Sequence, residues 1–200
     1  MSVSAAGTCI VFVVVGNTVG GLLSGYIVKA TGRYKALTIV AACLGCSCYT
    51  LVLVRWRGHT GLAEALYVAL GGLGMGITQS VTFVHLAASL EPEEMAIAGT
   101  SWFLSQSLGV LVSANMFNAV HEVSVTRLME QALEGNSRKD EIIKGALSSI
   151  AYVWSLPEAL RFSITQSYVD SLLFTNGLAL AFGVISLLLA CGLRERSLNT

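Results

Sequence analysis

The sequence predicts an all-α protein, a polytopic membrane bundle of about five transmembrane helices. Composition is the first reason: 54% of the 200 residues are hydrophobic and 12% are charged, whereas a soluble domain carries about 25% charged residues. The second reason is that five apolar stretches each reach the roughly 20 residues with which a helix crosses a bilayer. A formal net charge of zero leaves no basic surface that would attract nucleic acid, so no nucleic-acid partner is expected.

The apolar stretches give the expected order of elements. The five spans are residues 6–28, 36–54, 62–88, 96–120 and 171–193. Short connections join the first four spans, which we therefore expect to be antiparallel neighbours. The chain then divides into four spans with short loops, an extracytoplasmic loop with amphipathic helices, and a last span with a short cytoplasmic tail: residues 1–120, 121–170 and 171–200.

The long connection carries two apolar stripes with the spacing of amphipathic helices. The first stripe, which stops before Gly135, comprises Val125, Leu128, Met129, Ala132 and Leu133. The second stripe, which follows a capping pair of Ser137 and Asp140, comprises Ile142, Ile143, Ala146, Leu147 and Ile150. Ser155 and Glu158 then indicate the start of a helix that continues toward the fifth span. The stripes fit a lid outside the membrane, but we favour helices that lie on the membrane interface, since such stripes need only an apolar surface.

The distribution of basic residues predicts which side of the membrane is cytoplasmic. With five spans, the connections after the first and third spans lie on the same side as the C-terminal tail. That side carries Lys29, Arg33, Lys35, Arg194 and Arg196, and the short loop opposite carries Arg55 and Arg57. Because basic residues accumulate on the cytoplasmic side, we expect the first connection to be cytoplasmic in a multi-pass protein of the plasma or vacuolar membrane.

The sequence contains no recognisable catalytic or metal-binding pattern. Cys43, Cys46 and Cys48 lie in the middle of a span without a nearby His or carboxylate, and a closed zinc site needs about four ligands. The three histidines, which have no partnering Ser and Asp and no phosphate-binding loop, are His59, His85 and His121. We therefore expect no enzyme activity, no metal and no cofactor, with the lipid bilayer as the surrounding partner.

Glycines recur four positions apart in the first and third spans. The residues with this spacing are Gly16, Gly20, Gly21, Gly25, Gly72 and Gly76. Small residues at this spacing let two membrane helices approach closely, so we assign all of them except Gly25 to helix packing. The alternative interpretation is a third span that slides or bends at its clustered glycines.

Uncharged polar residues inside the spans need partners there. Four of them are candidates for the wall of a pathway through the bundle: Asn17, Gln79, Gln106 and Asn115. Tying two helices together is an equal alternative for each. Among ionisable residues, His85 is the one candidate for carrying a proton inside a span, because Glu64 and Asp170 lie near span ends.

The connection between the first two spans resembles a known signature. In the major facilitator superfamily this loop runs Gly-x-x-x-Asp-Arg-x-Gly-Arg-Lys, with a strong copy in the N-terminal half and a weaker copy in the C-terminal half. The matching residues here are Gly25, Gly32, Arg33 and, with an offset of one position, Lys35. Because Lys29 stands where the signature has Asp, the loop resembles the C-terminal copy.

Three further stretches resemble the fungal drug:proton antiporter branch of this superfamily, the fourteen-helix type that includes multidrug or toxin efflux and vacuolar basic amino acid transporters. They are the glycine-rich GGLGMGITQ, residues 91–120 with their Ser-Leu-Gly, and the last helix with its RERSL tail. The resemblance covers nearly the whole chain in the same order. Many relatives carry Arg where this chain has Gln106, which leaves open the part of that position in coupling.

The resemblance implies the C-terminal portion of a major facilitator fold and of a proton-coupled secondary transporter. Its substrates would be small organic molecules such as drugs, toxins or basic amino acids, with the proton as coupling ion and an N-terminal transporter half as the missing partner. Because both halves build the pathway in such transporters, we expect this chain not to transport alone. The alternative is a truncated, non-transporting membrane protein that pairs with or regulates another transporter.

The same resemblance gives the signature loop a role. Gly25, Gly32, Arg33 and Lys35 would form a cytoplasmic hinge whose contacts change between transport states. The alternative is that these cations only fix the topology of the chain.

Overall fold

The computed structural model describes residues 3–55, 62–136 and 138–193, and the regular structure in these ranges is entirely helical. The helices are α1 (Val3–Thr31), α2 (Lys35–Arg55), α3 (Leu62–Ala87), α4 (Met95–Ala132), α5 (Lys139–Ser148), α6 (Ile150–Ser155) and α7 (Glu158–Gly192). Five of them, α1 to α4 and α7, are long and apolar enough to cross a membrane. This confirms the predicted all-α class with five transmembrane helices.

Two helices are longer than the hydropathy pattern predicts. α4 continues past residue 120 to Ala132, so the first amphipathic stripe forms its last turns instead of a separate helix. It ends before Gly135, which has a positive φ of 90°. α7 begins at Glu158, directly after Pro157, and runs into the fifth span, as the sequence indicated. No glycine or proline interrupts either helix near residue 120 or 171, so nothing ends it where the composition becomes more polar.

The start of α5 differs in part from the predicted capping pair. Ser137 lies outside the described residues, so the pairing with Asp140 is not described. The residue before α5 is Arg138, which makes no side-chain capping bond. Its backbone N–H donates instead to the side-chain oxygen of Asn136 at 3.0 Å.

The chain forms two compact units. The first unit comprises Met1–Gly109 and Ala179–Thr200, and the second comprises Val110–Leu178. In the first unit α3 is the central helix, because it packs against both α1 and α2 while α1 and α2 hardly touch. α2 and α3 are therefore close neighbours, as expected, whereas the backbone of α1 approaches α3 more closely than it approaches α2. The reason is that α1 and α3 both present a face of glycines.

The contact between α1 and α3 brings the two backbones together. A Cβ added at Gly76 would lie 2.8 Å from the carbonyl carbon of Asn17 and 2.9 Å from the nitrogen of Gly21. A Cβ added at Gly16 would lie 3.0 Å from the nitrogen of Leu73. Carbon atoms do not approach this closely without strain, so the interface has room only for glycine at these positions. Gly20 and Gly72 meet the other helix's backbone in the same way, through Leu73 and Val13.

The second unit has its own apolar core. Its buried side chains are Val125, Met129, Leu133, Ile142, Ile143, Ala146, Val153 and Ile164. The two amphipathic stripes thus supply most of this core and pack against each other, which differs from the interfacial arrangement favoured from the sequence. The stripe positions Leu147 and Ile150 are exposed instead.

Polar bonds connect distant parts of the second unit. The Tyr168 hydroxyl donates to the carbonyl of Ala146 at 3.1 Å. The buried Ser171 hydroxyl donates to the carbonyl of Tyr168 at 2.7 Å and lies 3.1 Å from His121 Nδ1. No local pattern predicts the pair of Ser171 and His121, since its members are 50 positions apart.

Candidate functional site

The candidate site is a cavity of about 620 Å³ in the first unit. It lies among α2, α3, the first half of α4 and the last half of α7. Small residues open it: Ala41 and Gly45 on α2, Gly71 and Gly74 on α3, and Gly183 on α7. Because these side chains end at or before Cβ, the helices enclose a space that larger residues would fill. The volume is in the range of small-molecule sites, which is about 300–1,000 Å³.

Two of the predicted pathway residues line this cavity. Gln79 of α3 and Gln106 of α4 lie on its wall, and both also line a neighbouring cavity of about 330 Å³. Within the described part of the chain, neither side-chain amide has a hydrogen-bond partner. Thr78, which borders both cavities, differs because its hydroxyl donates to the carbonyl of Gly74 in its own helix at 2.9 Å. The two glutamines thus keep their donors and acceptors available to whatever occupies the cavities.

The other two predicted pathway residues lie elsewhere. Asn17 is on α1 at the close contact with α3, where its backbone oxygen meets Gly76, and it lines neither cavity. Asn115 belongs to the second unit, and its side-chain N–H donates to the carbonyl of Leu111 at 2.8 Å. The structure therefore brings together Gln79 and Gln106 and separates Asn17 from them.

An aromatic residue that the sequence analysis missed forms part of the smaller cavity. The Trp102 ring lies 5.5 Å from the Phe83 ring and 4.9 Å from the Phe103 ring, both edge to face. These two contacts hold the indole at the cavity wall beside Ser105 and Gln106. The available signal was spacing, because Trp102 is four residues before Gln106 and so lies on the same face of α4.

The walls of both cavities are uncharged. Among the described residues that line them, none is Asp, Glu, Lys, Arg or His. The polar groups are the two amides and the hydroxyls of Ser and Thr residues, together with Cys48 and Tyr49. The cavity can therefore offer hydrogen bonds and an aromatic face, but no countercharge.

The signature loop connects α1 and α2 in the first unit. Gly32 ends α1 with φ of 65°, and its N–H donates to the carbonyl of Val28 at 2.8 Å. Arg33 is exposed, Lys35 begins α2, and Gly25 lies inside α1. The other basic residues counted for topology, Arg57, Arg194 and Arg196, lie outside the described residues.

Tyr34 anchors this loop to α3. Its side chain is buried at 1% exposure, and its ring lies 4.7 Å from that of His85. His85, the proposed proton carrier inside a span, thus lies near the end of α3 against the loop and does not line the two cavities. The loop is attached through an aromatic contact that the signature residues do not include.

The conformation of Gly32 gives a testable prediction for this loop. A Gly32→Ala variant should be less stable by about 1 kcal/mol, because a Cβ is strained at positive φ. Gly25→Ala is the matched control, since its added Cβ meets only the Ser80 hydroxyl at 3.9 Å. Thermal unfolding of both variants in detergent measures the difference; equal melting temperatures would contradict the strained conformation.

The cysteines of α2 lie on more than one face of the helix. Cys43 is exposed, Cys46 is half-buried and Cys48 is buried at the first cavity. In residues 3–55, 62–136 and 138–193 no three His, Cys, Asp or Glu side chains are grouped so as to hold a metal. His59 lies outside these ranges.

Several transporters are similar to this chain over most of its length. The multidrug resistance protein fnx1 of Schizosaccharomyces pombe is 27% identical over 182 residues, which cover 89% of this chain and 34% of the relative. The vacuolar membrane amino acid uptake transporter fnx2 of the same organism is 24% identical, over 84% of this chain and 29% of the relative. The MFS-type efflux transporter ffsH of Aspergillus flavipes is 26% identical, over 89% of this chain and 32% of the relative.

The chain is similar over most of its length to transporters of the major facilitator superfamily (MFS) type. This confirms the resemblance seen in the sequence, and it agrees with the five membrane-length helices. The protein is therefore a multi-pass integral membrane protein. The chain spans about a third of the length of the curated transporters it matches. No family model matches it, and no solved structure matches it significantly.

Proposed function

We propose that this chain forms the C-terminal part of a proton-coupled secondary transporter that moves small organic molecules such as drugs, toxins or basic amino acids. The observation that carries the proposal is the cavity at Gln79 and Gln106, lined by helices of membrane length in a chain that is similar to MFS-type transporters. Polar groups inside a membrane protein face the bundle interior or a water-filled cavity. A cavity between membrane helices with available amides is what a substrate pathway requires.

The absence of hydrogen bonds on the two amides, within the described residues, favours a role in the pathway wall over a role in linking two helices. A side chain that ties two helices together donates or accepts a hydrogen bond across the interface. Gln79 and Gln106 make no such bond within the described part of the chain, although both are near the junction of α3 and α4. We therefore assign them to the pathway wall.

The signature loop is the proposed cytoplasmic hinge. Arg33 is exposed and Gly32 holds a conformation that glycine favours, so the loop combines an available cation with a tight turn. Tyr34 supplies the fixed point against α3. A loop that is fixed at Tyr34 and carries a charge at the adjacent Arg33 can exchange the partners of that charge as the helices move.

A second candidate function is a non-transporting membrane protein that pairs with another transporter. The observation that favours it is the apolar face of α1, where Leu22 is 72% exposed and Tyr26 is 75% exposed. Such side chains need lipid or another membrane helix against them. The two functions differ in what the protein does when no other transporter is present.

Drug accumulation in a yeast strain without its own exporters tests the proposal. The longest reading frame that contains this chain is expressed, and retention of a fluorescent drug is measured with and without a protonophore. We expect lower retention that the protonophore reverses, and a loss of this effect in a Gln79→Leu/Gln106→Leu variant. Asn115→Leu is the matched control, because that amide is paired within its own helix. Unchanged retention, together with co-purification of another transporter, would support the second function.

A further inference from the structure

We propose that the substrate of this site is an uncharged, planar aromatic amphiphile, held between Trp102 and the amides of Gln79 and Gln106. The inference rests on the proposed function and narrows it, because it excludes basic amino acids from the substrates. It follows from which groups line the two cavities and which of those groups already have partners.

The uncharged wall is the first reason. A basic amino acid brings two ammonium or guanidinium charges and one carboxylate, and each loses water on entering an apolar site. No side chain of opposite charge lines either cavity in the described part of the chain. Trp102 can form one cation–π contact with such a substrate. The free energy of that contact is smaller than the free-energy cost of desolvating a charge. A charged substrate is therefore disfavoured here.

The two amides are the second reason. A primary amide donates two hydrogen bonds and accepts two, so a pair of them matches a carbonyl, amide or hydroxyl group on a ligand. Because Gln79 and Gln106 are half-buried and have no partner among the described residues, a ligand gains these bonds without breaking hydrogen bonds within the protein. A ligand that covers the two amides without pairing them would leave them desolvated, which discriminates in favour of a ligand that pairs them.

The fixed indole is the third reason. Phe83 and Phe103 hold Trp102 edge to face, and its ring borders the smaller cavity beside Gln106. Planar aromatic ligands stack on such a ring. The larger cavity, with Ala41, Gly45 and Gly74 in its wall, accommodates the apolar remainder of the molecule.

A lipid chain is the main competing occupant. An acyl chain fills an apolar cavity of this size but makes no hydrogen bond to either glutamine. If the cavity is a lipid site, it should therefore bind an acyl chain equally well, or more tightly, when both glutamines are replaced by leucine. The substrate site predicts the opposite result, so the same variants distinguish the two occupants.

Binding of N-phenyl-1-naphthylamine to the 200-residue chain in nanodiscs provides the test, with empty nanodiscs subtracted. We expect 1-naphthamide, an uncharged planar amide, to displace this probe and arginine or lysine to fail. Gln79→Leu and Gln106→Leu should each weaken 1-naphthamide about fivefold, the effect of one lost hydrogen bond. Trp102→Ala should weaken it further, while Trp102→Phe should restore part of the affinity. Trp154→Ala is the matched control, because Trp154 lies in the second unit and is exposed.

A gain-of-function variant keeps the test decisive if the leucine variants fold poorly. Gln106→Glu places a carboxylate on the wall and should admit arginine as a competitor. Displacement by arginine from the unaltered chain, or leucine variants that bind 1-naphthamide as well as the unaltered chain, would overturn the proposed substrate class. Proton-driven drug export without probe binding would overturn this inference alone, whereas binding without any proton-driven flux would overturn the transporter function alone.

Discussion

A Gly76→Ala variant is expected to lower the free energy of unfolding of the first unit by about 2 kcal/mol, the usual cost of forcing extra atoms into a packed interface. The added methyl group would meet the backbone of α1 at Asn17 and Gly21, and a backbone cannot change rotamer to make room. The direction of this stability change is informative, because alanine in place of glycine normally stabilises a helix by about 1 kcal/mol. Helical circular dichroism during heating in detergent measures the change.

Gly109→Ala is the matched control for this substitution. Gly109 lies inside α4, in the same unit, and an added Cβ there meets no atom within 4 Å. The control should melt at or above the temperature of the unaltered chain. If Gly76→Ala also melts at or above that temperature, α1 and α3 do not pack through their glycines.

An Ile164→Ala variant should lower the free energy of unfolding of the second unit by about 3 kcal/mol, because it leaves a cavity in a small core. Ile164 has no exposed surface and packs among the side chains of the two amphipathic stripes. Hydrogen–deuterium exchange of backbone amides in residues 110–178 measures the loss within this unit.

Ile150→Ala is the control. It also distinguishes a second unit that is held by its own core from stripes that lie on the membrane interface. Ile150 is 77% exposed, so its truncation should change stability little if the second unit is held by its own core. If the stripes instead lie on the membrane interface, Ile150 contacts lipid and its truncation should cost at least as much as that of Ile164 when measured in nanodiscs. The second outcome would contradict the packed core.

The number and type of helices could be predicted because a bilayer permits few alternatives. Every backbone group inside it must be paired within the segment, so each apolar run in this sequence indicated a helix. The neighbours of a helix depend on more than one segment. Gly72 indicated that one face of α3 carries small residues. No local pattern indicates that α1, through Gly16, packs against this face and that α2 does not.

The candidate site could be predicted only in part for a similar reason. Gln79 and Gln106 stood out as polar groups inside apolar runs, and both line the cavity. Asn17 stood out equally, yet it lies at the α1–α3 contact, because which way a helix face points depends on its neighbours. Trp102 was passed over, since an aromatic residue is unremarkable in a membrane span until its position beside Gln106 is known.

The central claim is that the cavity at Gln79 and Gln106 belongs to a proton-coupled transporter. The most direct measurement follows the internal pH of proteoliposomes that contain the longest reading frame with this chain and an entrapped pH indicator. Adding 1-naphthamide, and separately arginine, to one side should reveal a substrate that moves protons across the membrane. We predict a pH change with 1-naphthamide that is lost in the Gln79→Leu/Gln106→Leu variant and kept in Asn115→Leu. No substrate-dependent pH change with either compound, although the protein is folded and inserted, would contradict the claim.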